Sequence, residues 1–168
     1  SSIAAGTGLL NIHTRQWDRP LLDALGVDPQ WLSPIVEPTF VHTGLLPDIA
    51  AQVGLCEYTK VVWGSSDGTL SSLGVGAVEP DVMALMVGTS AAVRVTVKHP
   101  VLHPEEQVWC YYLGQGHYVS GGATSNGGNV LKWFRDEVQC GTSSFADLSE
   151  LASQAPPGCD GLLFLPYL

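Results

Sequence analysis

The stretch VVWGSSDG, residues 61–68, joins a β-rich run to a segment of small residues. The run TKVVW, residues 59–63, predicts a strand, and residues 69–77 predict a helix. A strand, a tight glycine turn and a helix in succession are typical of α/β layers, in which a site lies at the carboxyl end of a strand. We therefore expect an α/β fold with functional side chains in this turn.

Asp67 is the first candidate within the turn, because a carboxylate at the end of a strand and beside Gly68 would face a cleft. Such a carboxylate can accept a proton from a substrate hydroxyl as that oxygen attacks phosphorus. A structural role is the alternative, since aspartate is common at the N-cap of a helix and contributes about 1 kcal/mol there. The spacing by itself favours the helix cap over the catalytic base.

Ser66 is a second candidate, because Gly64, Ser66 and Gly68 match the G-x-S-x-G pattern of the serine-hydrolase nucleophile elbow. Ser66 would be the nucleophile, and its acid and base would follow in the chain. The candidates for those two roles are Asp81, His99, His103 and His117. The chain lacks an upstream HGGG-type segment for the oxyanion, which argues against a hydrolase.

Further elements follow from hydrophobic periodicity and from turn residues. Helices are predicted at 17–25, 47–53, 130–138 and 146–154, and strands at 82–87, 91–97, 108–113, 118–119 and 161–165. The pattern changes from helices to a hairpin-led sheet near residue 79, which predicts a domain boundary there.

Two glycine-rich segments suit phosphate binding. The predicted hairpin tip Gly88-Thr89-Ser90 offers backbone N–H groups and hydroxyls to phosphate oxygens, although a plain β-turn is the simpler interpretation. The segment GGATSNGGNVLKW, residues 121–133, places glycines before a helix, whose N-terminus favours anions. Lys132 in that helix could reach a phosphate or lie in solvent.

The composition excludes several classes of function. The net charge is −9 with seven Lys and Arg residues, so binding to nucleic acids or to anionic membranes is not expected. The four cysteines are dispersed without a CxxC pair, which predicts reduced thiols and no metal site. Charged residues make up 14%, against about 25% in typical soluble domains. This shortage suits additional buried surface, such as a missing partner segment or a subunit interface, and it suits a compact acidic domain equally well.

The motifs GTGLLNI, VVWGSSDG, MVGTSAAVRV, YVSGGATSNGGNVLKWFRD and PPGCDGLLFLPYL occur in that order over essentially the whole chain. This order resembles the middle of the FGGY carbohydrate kinases, in particular the gluconate and xylulose kinase branches. The resemblance implies a partial ribonuclease H-like, actin-like ATPase fold. Residues 1–78 would be the C-terminal part of the sugar-binding N-terminal domain. Residues 79–168 would be the first part of the nucleotide-binding C-terminal domain.

The resemblance also implies roles for individual residues. Asp67 falls on the catalytic aspartate of the family, and Thr89, with Gly88 beside it, falls on the hairpin that contacts the phosphates of ATP. Gly128 falls on a nucleotide-contacting glycine, and Lys132 lies where some relatives have a polar nucleotide contact. Gly68 stands where glycerol kinases carry a substrate-contacting glutamine, which argues against glycerol as the substrate.

The implied activity is ATP- and Mg²⁺-dependent phosphorylation of a sugar or sugar acid in the cytoplasm. Both ends of the sequence look cut, and the phosphate loop, the early sugar-binding residues and the adenosine pocket of the family have no counterpart in the 168 residues. We therefore expect the isolated chain to be inactive. A non-catalytic interaction module that associates with itself is the alternative outside the enzyme classes.

Overall fold

The computed structural model describes residues 1–167, which form two compact units. The first unit comprises residues 1–84 and 94–122, and the second comprises residues 85–93 and the described residues from 123 onward. The predicted boundary near residue 79 divides the sequence once, whereas the chain passes between the units three times. The domain boundary near residue 79 therefore stays a prediction.

Most of the predicted elements are present, together with short helices and strands that were not predicted. The helices are α1 (Ser2–Ala5), α2 (Arg19–Leu25), α3 (Pro47–Val53), α4 (Asp67–Gly74), α5 (Gly128–Trp133) and α6 (Phe145–Ser153). The strands are β1 (Leu10–Asn11), β2 (Gln16–Trp17), β3 (Val41–His42), β4 (Val61–Val62), β5 (Met83–Val87), β6 (Ala91–Val97), β7 (Trp109–Gly114) and β8 (His117–Thr124). Strands β1 and β2 form one antiparallel pair, β3 and β4 another, and the remaining four form a sheet in the order β5-β6-β8-β7.

Capping residues set several helix boundaries. Helix α2 begins at Arg19, two residues later than predicted, because the Asp18 side chain caps it by accepting a hydrogen bond from Leu21 N at 3.1 Å. Helix α3 has the predicted bounds, and Gly54 ends it with a φ of 70°, which a left-handed cap requires. Helix α6 begins with a capping box between Ser144 and Asp147.

Other elements differ in extent from the prediction. The predicted strand 59–63 is reduced to β4, and the short strand predicted at 118–119 extends over the eight residues of β8. The helix predicted at 130–138 begins at Gly128 and continues from Phe134 as a π-helix. The longer β8 has a neighbouring strand on each side, β7 and β6, and these strands supply backbone hydrogen bonds that a local sequence pattern does not reveal.

The strand predicted at 161–165 is wrong for the described residues. Cys159–Gly161 form a 3₁₀ turn, and residues 162–167 have no regular structure. The apolar side chains that suggested a buried strand are largely exposed, with Leu163 at 87%. A strand needs a neighbour for its backbone groups, and residues 1–167 offer this segment none.

The core of the first unit lies where β7 and β8 meet α1. Tyr112 and Tyr118 are opposite each other in the register, and their rings make an edge contact at 5.2 Å. They pack with Cys110, and the partly buried Ala5, Ile12 and Val97 surround this cluster. The fully buried Tyr112 hydroxyl donates to Glu37 Oε2 at 2.8 Å and accepts from Arg15 Nη1 at 2.7 Å.

Replacing Tyr112 with phenylalanine tests this network. Burial raises the pKa of Tyr112, so its hydroxyl stays protonated and donates at neutral pH. We expect Tyr112→Phe to lower the free energy of unfolding by about 1–2 kcal/mol, because Glu37 and Arg15 lose a shared partner. The midpoint of urea unfolding measures this change. Tyr111→Phe on the same strand is the matched control, and an equal shift in both variants would contradict the proposed role of the hydroxyl.

Candidate active site

Asp67 is the first residue of α4 and is exposed. Its Oδ1 accepts a hydrogen bond from Gly68 N at 2.6 Å, while Oδ2 has no hydrogen-bond partner among residues 1–167. Ser66 occupies the N-cap position, so Asp67 is not the residue that caps the helix. Within the described chain Asp67 also forms no ion pair. One carboxylate oxygen is therefore available to a substrate hydroxyl.

Hydrogen bonds from several directions hold the backbone of the turn around Asp67. Ser65 Oγ donates to Leu113 O at 2.8 Å, and Ser66 N donates to Ser2 Oγ at 3.2 Å. The fully buried Thr69 donates from its hydroxyl to Ser66 O at 2.8 Å. These contacts fix the turn on β7 and α1, so the exposed carboxylate projects from a rigid support.

The geometry around Ser66 does not form a hydrolase triad. Ser66 Oγ lies 3.0 Å from Thr69 Oγ1, and no histidine among the described residues hydrogen-bonds to it. His117 Nδ1 instead contacts Gln115 O at 3.1 Å, and His103 Nδ1 accepts from Glu105 N at 3.2 Å. A nucleophilic serine needs a base within hydrogen-bond reach. The serine-hydrolase interpretation therefore has no support in the structure.

Gly68 lies against a buried arginine that the sequence interpretation did not single out. A Cβ atom at position 68 would lie 3.5 Å from Arg94 Nη2 and 3.7 Å from Arg94 Nε. Arg94 is on β6 and only 8% of its surface is exposed. Its place in a strand with alternating burial, AAVRVTV, is the signal that could have identified it, since every second residue there faces inward.

In the second unit, the hairpin tip is bonded to the start of α5. Gly88 N donates to Ser90 O at 2.8 Å, which closes the turn, and Gly88 O accepts from Gly128 N at 2.6 Å. Thr89 O accepts from Gly127 N at 3.0 Å. The exposed Thr89 hydroxyl makes no hydrogen bond to any described residue, so it is available to a ligand.

The contact between hairpin and helix requires glycine at two positions. A Cβ at Gly127 would lie 2.6 Å from the carbonyl of Ser90, and one at Gly128 would lie 2.8 Å from Gly88 O. Both distances are shorter than real Cβ contacts, and the neighbouring atoms belong to the backbone. Gly88, Thr89 and Gly128, which were predicted separately, are thus brought together. The importance of Gly127 was missed, although the Gly-Gly pair before a helix was visible.

Lys132, which the sequence offered as a phosphate contact or a solvated residue, pairs with an acidic residue of the following helical turn. Its Nζ pairs with Asp136 Oδ2 at 2.5 Å, one helical turn further on, and its side chain is 66% exposed. The hydrogen bond from Lys132, followed by that from Arg135, lowers the pKa of Asp136. A contact between Lys132 and a nucleotide would require this exposed pair to open, and it stays a prediction.

The described residues contain no group of three or more His, Cys, Asp or Glu side chains arranged to hold a metal ion. Among the same residues, no helix has both the length and the apolar character that crossing a bilayer requires.

Comparison with known proteins shows which proteins the chain that carries this site is similar to. Residues 1–74 match the family model described as the FGGY family of carbohydrate kinases, N-terminal domain. Among curated proteins, the chain is 38% identical to a gluconokinase of Bacillus subtilis over 99% of its length, and 32% identical to a xylulose kinase of Lactococcus lactis. The chain spans about a third of the length of these relatives, 34% and 33% respectively.

Solved structures agree with the sequence relatives. The chain superimposes on a gluconate kinase of Lactobacillus acidophilus with a TM-score of 0.92 and 40% identity, covering 99% of this chain and 34% of the other. A ligand-bound xylulose kinase of the same organism gives a TM-score of 0.91 at 40% identity, with the same coverage. The partial actin-like ATPase fold expected from the motif order is thereby confirmed.

Proposed function

The chain belongs to the FGGY family of carbohydrate kinases, and we propose from this premise that the full-length protein transfers the γ-phosphate of ATP to a hydroxyl of gluconate or xylulose. The carrying observation is the exposed Asp67 carboxylate, which has one free oxygen and a rigidly bonded turn beneath it. We further propose that residues 1–78 belong to the sugar-binding domain and residues 79–168 to the nucleotide-binding domain. The end of the family match at residue 74 supports this division.

In the proposed reaction, Asp67 accepts the proton of a sugar hydroxyl as that oxygen forms a bond to the γ-phosphorus. The bond from phosphorus to the ADP oxygen breaks, and ADP leaves with that electron pair. The base needs correct position more than an unusual pKa, because phosphoryl transfer depends mainly on positioning and charge stabilisation. The hydrogen bond from Gly68 N holds one oxygen of Asp67, and the other oxygen faces the reacting hydroxyl.

The hairpin offers a fit for the phosphates of ATP. The exposed Thr89 hydroxyl is a free donor, whereas the N–H groups of Gly88 and Gly128 are used within the chain. We propose that Thr89 donates to a phosphate oxygen and that the two glycines let the nucleotide approach their backbone closely. Mg²⁺, when bound with ATP, would neutralise charge on the transferred group, with phosphate oxygens and water as most of its ligands.

A kinase assay with the full-length protein tests the proposal. Gluconate, xylulose and glycerol are supplied with ATP and Mg²⁺, and the sugar phosphate is identified by mass spectrometry. We expect phosphorylation of gluconate or xylulose and none of glycerol, because Gly68 offers no side chain to contact glycerol. Release of ADP without any phosphorylated polyol would contradict the proposal.

The use of ATP also leads us to propose a cytoplasmic location for the protein. Self-association of the chain stays a prediction, which sedimentation velocity can test.

The isolated 168-residue chain is expected to phosphorylate no sugar. It spans about a third of the length of its relatives, and the resemblance places the phosphate loop and the sugar and adenosine pockets outside it. The measurement is the same assay at equal molar concentration of the chain and the full-length protein. Sugar phosphate produced by the chain alone would show that residues 1–168 hold a complete site.

A further inference from the structure

Arg94 carries a buried positive charge without enough partners. Its Nε and Nη1 atoms are fully buried and have no hydrogen-bond partner among residues 1–167. A guanidinium has five N–H donors, and leaving them unsatisfied in the interior is costly. The ring of Trp109 lies 5.7 Å from Arg94 Cζ and offsets part of that cost, but an aromatic face does not replace hydrogen-bond acceptors.

The guanidinium lies at the start of α4, the eight-residue helix that begins with Asp67. Nη2, Nε and Cζ lie 3.5, 3.7 and 3.9 Å from the position that a Cβ of residue 68 would occupy. Because residue 68 is a glycine, no side chain separates the guanidinium from the helix N-terminus. Asp67 is adjacent, yet no ion pair joins it to Arg94 in the described residues.

A buried arginine with unpaired donors and a helix N-terminus, with no side chain of residue 68 between them, together suit an anionic ligand. Guanidinium groups bind carboxylates and phosphates through two parallel hydrogen bonds, and the positive end of a helix favours the same charge. We propose that Arg94 and the N-terminus of α4 bind an oxyanion of the ligand beside Asp67. The anion is either the carboxylate of a sugar acid or the phosphoryl group in transfer. The identity of the anion therefore rests on the proposed function.

Binding measurements on the full-length protein test this site without depending on turnover. Gluconate and inorganic phosphate are titrated separately by calorimetry into the wild type and into Arg94→Met, which keeps an apolar stem and removes the charge. We expect affinity for one of the two anions to fall at least about tenfold, because hydrogen bonds to charged groups are stronger than neutral ones. A loss confined to gluconate identifies the carboxylate, and a loss confined to phosphate identifies the phosphoryl group.

The thermal unfolding midpoint without ligand separates this role from a structural one. If the guanidinium lacks partners in the folded protein, Arg94→Met will unfold at the same or a higher temperature than the wild type. A lower midpoint together with unchanged affinity for both anions would overturn the proposal, since Arg94 would then be paired within the protein.

Arg94→Lys is the second variant, and it keeps the charge without the planar fork. We expect it to retain an intermediate affinity, and wild-type affinity in Arg94→Lys would overturn the two-bond arrangement. If the wild type binds an anion at Arg94 but phosphorylates no sugar, the kinase function fails while the anion site stands. If the wild type phosphorylates sugars and Arg94→Met binds both anions within twofold of the wild type, the anion site fails while the kinase function stands.

Discussion

Replacing Asp67 with asparagine in the full-length protein is expected to reduce kcat about a thousandfold, which lies within the contribution of a general base. Asparagine has nearly the same shape and keeps an oxygen that can accept the hydrogen bond from Gly68 N, now 2.6 Å long. The variant loses the ability to take a proton from the sugar hydroxyl. The measurement is steady-state kcat with saturating ATP and sugar. Calorimetry gives the affinity for ATP, which we expect to change by less than about twofold because the proposed phosphate contacts lie on the hairpin.

Asp48 provides a matched control for this variant. Both aspartates are exposed, and both lie in the first turn of a helix, α3 for Asp48 and α4 for Asp67. Removing either charge loses the same favourable interaction with a helix N-terminus, typically below about 1 kcal/mol. We expect Asp48→Asn to keep wild-type kcat. Similar turnover in Asp67→Asn and the wild type would exclude Asp67 as the base, and an equal loss in both variants would indicate a general effect on helix stability.

The role proposed for Asp67 illustrates what spacing and motif order can each predict. Spacing alone favoured a helix cap, because an aspartate before a run of small residues commonly caps a helix. The ordered series of motifs reversed that preference. The structure places Ser66 at the N-cap and leaves the Asp67 carboxylate exposed, and the catalytic role of Asp67 stays a prediction.

The sequence failed where an element depends on partners distant in the chain. The apolar run at 161–165 has the composition of a strand, yet strand formation requires a neighbouring edge, which a local pattern cannot supply. The extent of β8 was underestimated for the converse reason, because β8 lies between β6 and β7, and its pairing with β7 includes Gly121, a residue type of low strand propensity. Helix α3 was predicted at both ends, since its Pro at the start and Gly at the end are local signals.

Replacing Gly127 with alanine is expected to separate the hairpin from α5. The added Cβ would lie 2.6 Å from Ser90 C and O and 3.0 Å from Ala91 N. These are backbone atoms, so no side-chain rotation relieves the clash. We expect a loss of about 2 kcal/mol in the free energy of unfolding, within the range for overpacking.

The same displacement should weaken ATP binding, because Thr89 O bonds to Gly127 N at 3.0 Å and the hydroxyl of Thr89 is the proposed phosphate donor. In the full-length protein, KM for ATP is expected to rise at least about tenfold, which corresponds to about 1.4 kcal/mol, while KM for the sugar changes little. Gly122→Ala is the control, since a Cβ there meets open space in the same glycine-rich segment. If Gly127→Ala matches Gly122→Ala in both urea midpoint and KM for ATP, the hairpin does not depend on its contact with the helix, and the assignment of Thr89 to the phosphates loses its structural basis.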